Sequence, residues 1–481
     1  MNVLRHLVAA TAACMLGACA AVSGPARTLP ETPPGFTAAE GATASPPRLD
    51  WWTRFEDPAL DALVEDALAN NRELAATSAN LRAASALAAE ARANRGPGGA
   101  LDASRLQLRQ SALSQPPIEG TPDEFATQTI ADVGLALAWE VDVFGALAAS
   151  ETAARAETVA TRWLRRQAEA AVVAATVRAY LDLQASSALE SLTRERLAGL
   201  MSITDRLRRA EELGAVPRDR VDEAQGLSEA LRAELPLLAL ETRNAARRIA
   251  VLTGRAPQDG IRSLTGWVRS PLRSPATLDA GDPTVLLRQR PDVMVAEQRL
   301  RAAVARIGVA TAALYPRITL SGEAGVSAQP GSLDADGALR FATGPALTWG
   351  VFDLARTRAG IAATEADADA ALAHWEHTVL IALEEADAAI DGWASARAAA
   401  AAASRSATAA KRSAEAARAR VERGLAGPID LIRIEVARMA AESAALQAEA
   451  AATQSWVQAH LALGAGWRDS GGGGPGSVAD P

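Results

Sequence analysis

The chain has 481 residues and a net charge of −8, so it lacks the basic excess of nucleic-acid-binding proteins, and no nucleic-acid partner is expected. Hydrophobic residues make up 49% of the chain but aromatic residues only 4%, and this alanine-rich composition favours closely packed helices. Both cysteines precede residue 20, which excludes a disulfide scaffold, a cysteine-ligated zinc site and a cysteine nucleophile from the rest of the chain.

The first residues form a predicted export and lipidation signal. The apolar stretch 7–16 follows a short basic region and is too short to span a membrane, which is typical of a signal peptide, here residues 1–18. Residues 16–19, Leu-Gly-Ala-Cys, resemble the lipobox of bacterial lipoproteins. That resemblance implies that Cys19 becomes the first mature residue, N-palmitoylated and S-diacylglycerated, while Ala20 in place of Asp favours the outer membrane. The alternative is an ordinary cleavage site with an incidental cysteine.

Two segments outside the main body are predicted to lack regular structure. Residues 19–50, which follow the signal peptide, are rich in Pro and Thr, and this composition predicts an extended, lipidated tether. Residues 467–481 are rich in glycine and are predicted to be a disordered tail without an assigned function.

The main body is predicted to be a tandem duplication. Three pairs of residues recur at a separation of 210 positions: Trp139 and Trp349, Gly214 and Gly424, and Gly254 and Gly464. The first repeat is placed at residues 51–281 and the second at residues 282–466. A unit of this length is a duplicated domain, since short solenoid repeats have periods of about 20 to 50 residues.

Each repeat is predicted to contain the same elements in the same order: a helical segment, two strands, a very long helix and a return helix after a turn. In the first repeat these are a helix over 57–95, strands near 101–110 and 128–140, a long helix over 146–212 and a return helix over 219–253. In the second they are a helix over 283–314, strands near 317–327 and 339–351, a long helix over 356–422 and a return helix over 429–463.

The strands are identified by apolar residues at alternate positions, as in Ile318, Leu320, Ala324 and Val326. This alternation is typical of transmembrane barrel strands, but also of any half-buried sheet. No run of about 18 apolar residues occurs after residue 25, so a helical membrane span is not expected. Because four segments show this alternation in a chain predicted to be exported and lipid-anchored, transmembrane strands are favoured over a half-buried soluble sheet.

The two long helices favour an elongated assembly. Residues 146–212 contain no proline and only one glycine, and a helix over this range extends about 100 Å. Helices in globular proteins average about 11 or 12 residues, so a helix this long needs lateral partners, which the return helices can supply.

Four strands are too few to form a closed membrane sheet on their own. Open edges are not tolerated in hydrocarbon, and the smallest outer-membrane barrels have about eight strands. Two, three or four copies of the chain provide enough strands, so the pattern predicts an oligomer without selecting its order. The assembly would be a β-barrel continued by an α-helical tube.

A set of motifs, in order along the mature chain, carries a family resemblance. They are Trp51, Trp52, Phe55, Asp57, Pro58 and Leu60; residues 139–145; Arg290, Pro291, Asp292, Val293, Ala296, Glu297 and Leu300; residues 307–310 with Tyr315 and Pro316; residues 344–347; and residues 424–431. On these motifs the chain resembles the outer membrane factors of tripartite efflux systems, the TolC-like proteins, and among them the NodT-type outer membrane lipoproteins.

This resemblance implies a fold, a function and partners. The fold is a mixed α and β membrane protein whose trimer forms a 12-stranded outer-membrane β-barrel, four strands per chain, continued by a long periplasmic α-helical barrel. The function is a passive exit duct for small molecules, integral to the outer membrane and extending into the periplasm. The partners are a periplasmic adaptor (membrane fusion) protein, an inner-membrane transporter of the resistance-nodulation-division type and outer-membrane lipid.

Candidate gate residues lie at the two turns between the long and return helices. Gly214 and Gly424 are predicted helix-turn tips, because glycine allows the positive φ that a helix stop needs. In the resembling family an acidic residue after the second turn constricts the pore, and the matching position is Asp430. Arg433 stands where the family often has a second acid, so Asp430 either acts alone or pairs with Arg433. The alternative is that Asp430 simply stabilises a helix N-terminus.

Enzymatic activity is not expected, because the sequence contains no catalytic constellation, and no cofactor is expected besides the lipid on Cys19. His374 and His377 share a helical face but have no third ligand nearby, so two solvated helix residues are favoured over a metal site. The alternative function is a lipid-anchored periplasmic structural coiled-coil protein.

Overall fold

The structure is a computed structural model that describes residues 35–36, 41–109, 127–264 and 273–467. The predicted signal peptide, Cys19, most of the predicted tether and the predicted tail after residue 467 lie outside the described residues. Among the described helices, none is both long and apolar enough to cross a membrane.

The first half of the described chain contains helices and strands in turn, and it ends with a long helix, a return helix and a short helix. Its elements are β1 (Ala42–Thr43), α1 (Pro58–Asn70), α2 (Arg72–Ala93), β2 (Gly98–Leu108), β3 (Gln128–Glu140), α3 (Ala146–Glu212), α4 (Arg218–Leu252) and α5 (Pro257–Leu264). A 3₁₀ turn at Trp51–Phe55 precedes α1. Helix α3 has 67 residues.

The second half repeats this order. Its elements are β4 (Leu278–Asp279), α6 (Pro283–Gln289), α7 (Pro291–Ala312), β5 (Arg317–Ala328), β6 (Leu339–Thr348), α8 (Leu354–Glu422) and α9 (Pro428–Ala462). Helix α8 has 69 residues.

Helices α1 and α6 begin with the same Asp-Pro signal. The Asp57 side chain accepts the N–H of Ala59 at 2.9 Å, and the Asp282 side chain accepts the N–H of Thr284 at 2.8 Å. Each aspartate is therefore an N-cap, and the following proline occupies the first helical position, where its missing N–H costs nothing.

The helices predicted over 57–95 and 283–314 are each two helices, which corrects the sequence prediction. Asn71 is extended between α1 and α2, and its side-chain oxygen accepts two backbone N–H groups of the first turn of α2. Arg290 is extended between α6 and α7, because the residue before Pro291 is excluded sterically from the helical region.

The chain divides into two compact units. The described residues of the first unit lie within Arg82–Ala160 and Glu297–His374, and they include strands β2, β3, β5 and β6. The second unit comprises the described parts of Leu29–Leu81, Thr161–Ala296 and Trp375–Pro481, which include helices α1, α4, α5, α6 and α9.

The first unit contains an antiparallel sheet with strand order β2-β3-β5-β6. Its centre is the pairing of β3 with β5, so one hairpin from each half of the duplication contributes two strands. Leu101, Leu135, Ala324 and Phe341 lie directly opposite one another across the four strands. Since side chains alternate between faces along each strand, this register sets which residues share a face.

The second unit has a core rich in tryptophan. Trp51, Trp393 and Trp456 are fully buried in one apolar cluster, and the rings of Trp51 and Trp456 meet edge to face at 5.6 Å. The indole N–H of Trp456 donates to the carbonyl of Thr277 at 3.2 Å. Large aromatic side chains bury much apolar area at few positions, which suits a chain with so few of them.

Both ends of the described chain are more ordered than the sequence predicts. Within the predicted tether, β1 pairs in parallel with β4, and Leu278 N–H donates to the Gly41 carbonyl at 3.0 Å. At the other end Trp467, predicted as the start of the tail, is buried and packs edge to face on Trp163 at 5.6 Å. Arg166 stacks over both rings, so residue 467 belongs to the second unit.

Candidate channel surfaces and helix turns

One face of the four-stranded sheet is apolar and exposed. Leu101 is 77% exposed and Phe341 is 76% exposed, although both are large hydrophobic side chains. The same face carries seven further exposed hydrophobic residues: Val133, Leu135, Leu137, Trp139, Leu320, Leu339 and Leu347. An apolar face of this kind requires lipid or another protein against it.

The opposite face of the sheet is polar. By the strand register it carries six charged residues: Asp102, Asp132, Glu140, Arg317, Glu323 and Arg340. Small residues separate most of them, and apolar residues share this face only toward one end of β2 and β3, at Leu106, Leu108 and Ile130. Arg340 forms ion pairs with Asp132 and Glu323, and Arg317 lies 3.4 Å from Glu140. A sheet with one apolar and one charged face is suited to separate lipid from water.

The outer strands of the described sheet, β2 and β6, each pair with one neighbour. Their outward N–H and C=O groups need partners if the apolar face contacts hydrocarbon, where no water satisfies them. The described sheet is thus incomplete as a membrane structure, and a further strand must pair at each edge.

Equivalent tryptophans lie at the end of one strand in each half, Trp139 within the last residues of β3 and Trp349 directly after β6. The indole N–H of Trp139 donates to the carbonyl of Arg95 at 2.9 Å, and that of Trp349 donates to the carbonyl of Leu314 at 3.0 Å. In each half the acceptor lies in the turn between the helix and the first strand. Both rings also remain partly exposed. Each tryptophan therefore packs at the end of the sheet and, with one polar and one apolar side, also suits a membrane interface.

The two predicted helix-turn tips share one hydrogen-bond pattern. The φ of Gly214 is 69° and that of Gly424 is 71°. After α3, the Ala215 N–H donates to the Ala210 carbonyl at 2.8 Å, and after α8, the Leu425 N–H donates to the Arg420 carbonyl at 2.8 Å. The N–H of each glycine also donates to the carbonyl three residues earlier, at 2.7 Å for Gly214 and 3.0 Å for Gly424. The two bonds at each turn form a Schellman motif, which requires a left-handed residue, and glycine adopts this conformation without strain.

Asp430 lies in the first turn of α9, where it is exposed. The N-cap residue of this helix is Gly427, so Asp430 is the third helical residue and not the cap. Asp430 and Arg433 both line a cavity of about 230 Å³ between the ends of α8 and α9, together with Arg420. Within the described residues, no ion pair shorter than 4.0 Å joins Asp430 to Arg433.

A buried carboxylate near these turns was not predicted. The Glu435 side chain is 4% exposed and accepts hydrogen bonds from Arg418 at 2.5 Å and Arg438 at 2.9 Å. Burial alone raises the pKa of this carboxyl, but the two guanidinium groups hold it below its usual value. The spacing from Glu435 to Arg438 is a signal for an intrahelical pair, whereas Arg418 comes from α8 and has no local signal.

The two histidines considered as metal ligands, His374 and His377, lie on α8. Among the described residues, no group of three or more His, Cys, Asp or Glu side chains is placed to hold a metal ion.

The chain matches the family model described as "Outer membrane efflux protein" over two segments, residues 63–255 and 283–465. It is 32% identical to Nodulation protein T of Rhizobium leguminosarum bv. viciae over 388 residues, which is 80% of this chain and 78% of that protein. It is 35% identical to Outer membrane protein OprJ of Pseudomonas aeruginosa over 357 residues, 72% of each chain.

Among solved structures, the fold is similar to that of the outer-membrane channel OprN, with a TM-score of 0.83 and 31% identity over 93% of this chain and 100% of that chain. The predicted fold class, channel function and outer-membrane location are therefore confirmed, and the alternative of a periplasmic structural coiled-coil protein is not supported. The chain belongs to the outer membrane efflux protein family.

Proposed function

We propose that three copies of this chain assemble into one passive duct through which an efflux system expels small molecules across the outer membrane. The observation that carries this proposal is the four-stranded sheet, with its exposed apolar face, its charged face and its two outer strands in need of partners. In the duct, β6 of one protomer pairs with β2 of the next, so three protomers close a ring of twelve strands. The apolar face contacts lipid and the charged face lines the lumen.

The duct works with two further proteins, a periplasmic adaptor and an inner-membrane transporter of the resistance-nodulation-division type. The chain contributes no energy source of its own, so the transporter drives efflux and selects the substrate. The two turns supply a surface for the adaptor: Leu213 is 83% exposed beside Gly214, and Leu425 is 72% exposed beside Gly424. Leu213 precedes its glycine and Leu425 follows its glycine, so each turn exposes one large apolar residue that suits contact with another protein.

Asp430 is the gate residue in this proposal, and Arg433 is its neighbour in the same cavity. Three exposed carboxylates brought together by three protomers attract cations and constrict the duct. The exposure of Asp430 supports this role, whereas its position in the first turn of α9 fits a helix-stabilising role equally well.

Cys19 anchors each protomer through N-palmitoyl and S-diacylglycerol groups, because two or more acyl chains give stable membrane attachment. The lipobox resemblance of residues 16–19 supports this part of the proposal. Cys19→Ser is expected to abolish incorporation of labelled palmitate and to leave unprocessed precursor, whereas Cys14→Ser, within the predicted signal peptide, is expected to leave both unchanged. A mature protein that starts elsewhere with a free thiol would contradict the lipid anchor.

A pair of adjacent substitutions on β6 tests the channel assembly. Phe341 lies on the apolar face and Ala342 on the charged face. Phe341→Arg places a charge against lipid, at a cost of about 2 to 4 kcal/mol near the bilayer centre, and is expected to abolish membrane insertion. Ala342→Arg places the same charge in the lumen and is expected to leave insertion intact.

The readouts are the mass of the detergent-solubilised protein and its conductance in planar bilayers. The unmodified protein and the Ala342→Arg variant are expected to have the mass of three chains and to give discrete conductance steps. Equal insertion of both arginine variants, or a monodisperse single chain without conductance, overturns the proposal.

A further inference from the structure

A row of four residues crosses the charged face of the sheet at one level. Asp102 on β2 pairs with Gly134 on β3, Gly134 pairs with Gly325 on β5, and Gly325 pairs with Arg340 on β6. The two central positions have no side chain, so the charged residues on the outer strands face each other across a shallow depression.

Arg340 extends along this depression and reaches β3. Its Nε lies 2.8 Å from Oδ2 of Asp132 and its Nη2 lies 2.7 Å from Oδ1, a bidentate pair between residues on strands that are not adjacent. Its Nη1 lies 3.3 Å from Oε1 of Glu323 on the intervening strand. Two carboxylates therefore hold the guanidinium over the sheet.

Glycine at position 134 leaves the space that this arrangement needs. A Cβ placed on Gly134 would lie 3.1 Å from Nη2 of Arg340 and 3.3 Å from the carbonyl oxygen of Ala324. Any side chain there would crowd the guanidinium that pairs with Asp132. The glycine thus leaves room for the arginine to cross the face.

The charges in this part of the face do not balance. Asp102, Asp132 and Glu323 contribute three carboxylates and Arg340 contributes one guanidinium, so each chain carries a net charge of −2 here. These four residues are termed the charged belt. Asp102 lies in the same row as Arg340 but on the opposite side of the two glycines, so Arg340 neutralises the Asp132 side of the belt and leaves the Asp102 side negative.

We infer that the charged belt is a charge-selective section of the lumen, in which Arg340 limits the preference for cations and Asp102 maintains it. This inference rests on the proposed duct, in which this face lines the lumen. Three protomers bring three belts to one level of the ring, and a ring of carboxylates raises the local cation concentration, while each arginine offsets part of that field. Permeating molecules with a cationic group are favoured at this level.

The test measures the reversal potential of single channels in a potassium chloride gradient, which gives the permeability ratio of potassium to chloride. Arg340→Gln removes the positive charge, changes the belt from −2 to −3 per chain, and is expected to raise this ratio roughly twofold. Asp102→Asn changes the belt from −2 to −1 and is expected to lower the ratio by a similar factor. Among the described residues, no hydrogen bond or ion pair joins Asp102 to the Arg340 guanidinium, so this variant leaves the pair of Arg340 with Asp132 intact.

Arg317→Gln is the matched control. Arg317 lies on the same face and pairs with Glu140 toward the end of the strands, away from the belt. This variant is expected to change the ratio less than Arg340→Gln does. If the unmodified protein gives no channels, the proposed duct fails. If channels form and neither Arg340→Gln nor Asp102→Asn changes the ratio, the duct stands and the role of the belt is refuted.

Discussion

The phenol of Tyr180 donates a hydrogen bond to Oδ2 of Asp57 at 2.7 Å, and both residues are buried in the second unit. The other carboxylate oxygen of Asp57 caps α1 by accepting the N–H of Ala59. The Asp57 side chain therefore caps α1 and also links the N-terminus of this helix, through a hydrogen bond, to the middle of the long helix α3. Because the carboxylate is buried, loss of the phenol leaves a charged group short of one donor.

Tyr180→Phe is expected to destabilise the protein by about 1 to 3 kcal/mol, the usual cost of removing one partner from a buried hydrogen bond to a charged group. The measurement is the thermal unfolding midpoint in detergent. Tyr315→Phe is the matched control, since Tyr315 is the other tyrosine of the chain and its ring stacks on Phe144 at 4.6 Å while remaining partly exposed. Equal shifts for the two variants would contradict the structural role of the Tyr180 phenol.

Much of the fold could be predicted because the decisive signals are local. Alternating apolar residues indicate the strands, and a proline-free, alanine-rich stretch indicates each long helix. The recurrence of Trp139 and Trp349 indicates the duplication. Gly214 and Gly424 are recognisable as helix stops because a Schellman motif requires a residue at positive φ, and glycine adopts this conformation at the least cost.

The features that sequence reasoning missed depend on contacts between distant residues. The pairing of Arg340 with Asp132 joins positions 208 residues apart and follows from the strand register, which alternation alone does not determine. Arg418 approaches Glu435 from a neighbouring helix. The break at Arg290 did have a local signal, the following Pro291, because the residue before a proline is disfavoured in the helical region.

His460 is a buried titratable group at the centre of the tryptophan cluster. Its ring lies 4.0 Å from that of Trp456 and 5.3 Å from that of Trp51, and its Nδ1 is 3.0 Å from the carbonyl oxygen of Trp456. Burial lowers the pKa of His460 from 6.5 to about 4, against the opposing effect of that hydrogen bond. The folded protein thus keeps this histidine neutral at pH values where the unfolded chain protonates it.

The stability of the second unit is therefore expected to fall as the pH decreases from about 6.5 to about 4, because only the unfolded state binds a proton in that window. The difference between the two pKa values corresponds to about 3 kcal/mol. Thermal unfolding midpoints across this range measure the effect. His460→Gln is expected to flatten the pH dependence, whereas His377→Gln, on an exposed position of α8, should retain it. A pH profile unchanged by His460→Gln would show that other groups dominate.

Glu435→Gln is expected to destabilise the helix pair α8–α9 by about 2 kcal/mol at neutral pH, because it removes the charge that pairs with Arg418 and Arg438. The pKa of Glu435 is lowered in the folded protein, so its contribution is present above the unfolded value of 4.5 and is lost as the pH falls through the folded value. The difference between the variant and the unmodified protein should therefore shrink in acid. Glu415→Gln, at an exposed position of α8, is the matched control, and an equal loss there would refute a specific role for Glu435.

Asp430 permits a test that separates a gate from a helix stabiliser. An acidic residue in the first turn interacts favourably with the helix dipole by about 0.3 to 1 kcal/mol, and Asp219 occupies the first turn of α4 in the same way. Both positions should therefore show a similar, small change in thermal stability when replaced by alanine. Only the gate role predicts a difference between them in conductance.

Asp430→Ala is expected to raise single-channel conductance and to weaken block by divalent cations added on the periplasmic side, because three carboxylates at one level form a site that attracts and retains such ions. Asp219→Ala is expected to leave both properties unchanged. The measurement is single-channel current in planar bilayers with and without magnesium ions, beside the unfolding midpoint of each variant. If Asp430→Ala lowers the midpoint while conductance and block stay at the values of the unmodified protein, Asp430 stabilises the start of α9 and the gate lies elsewhere around the two turns.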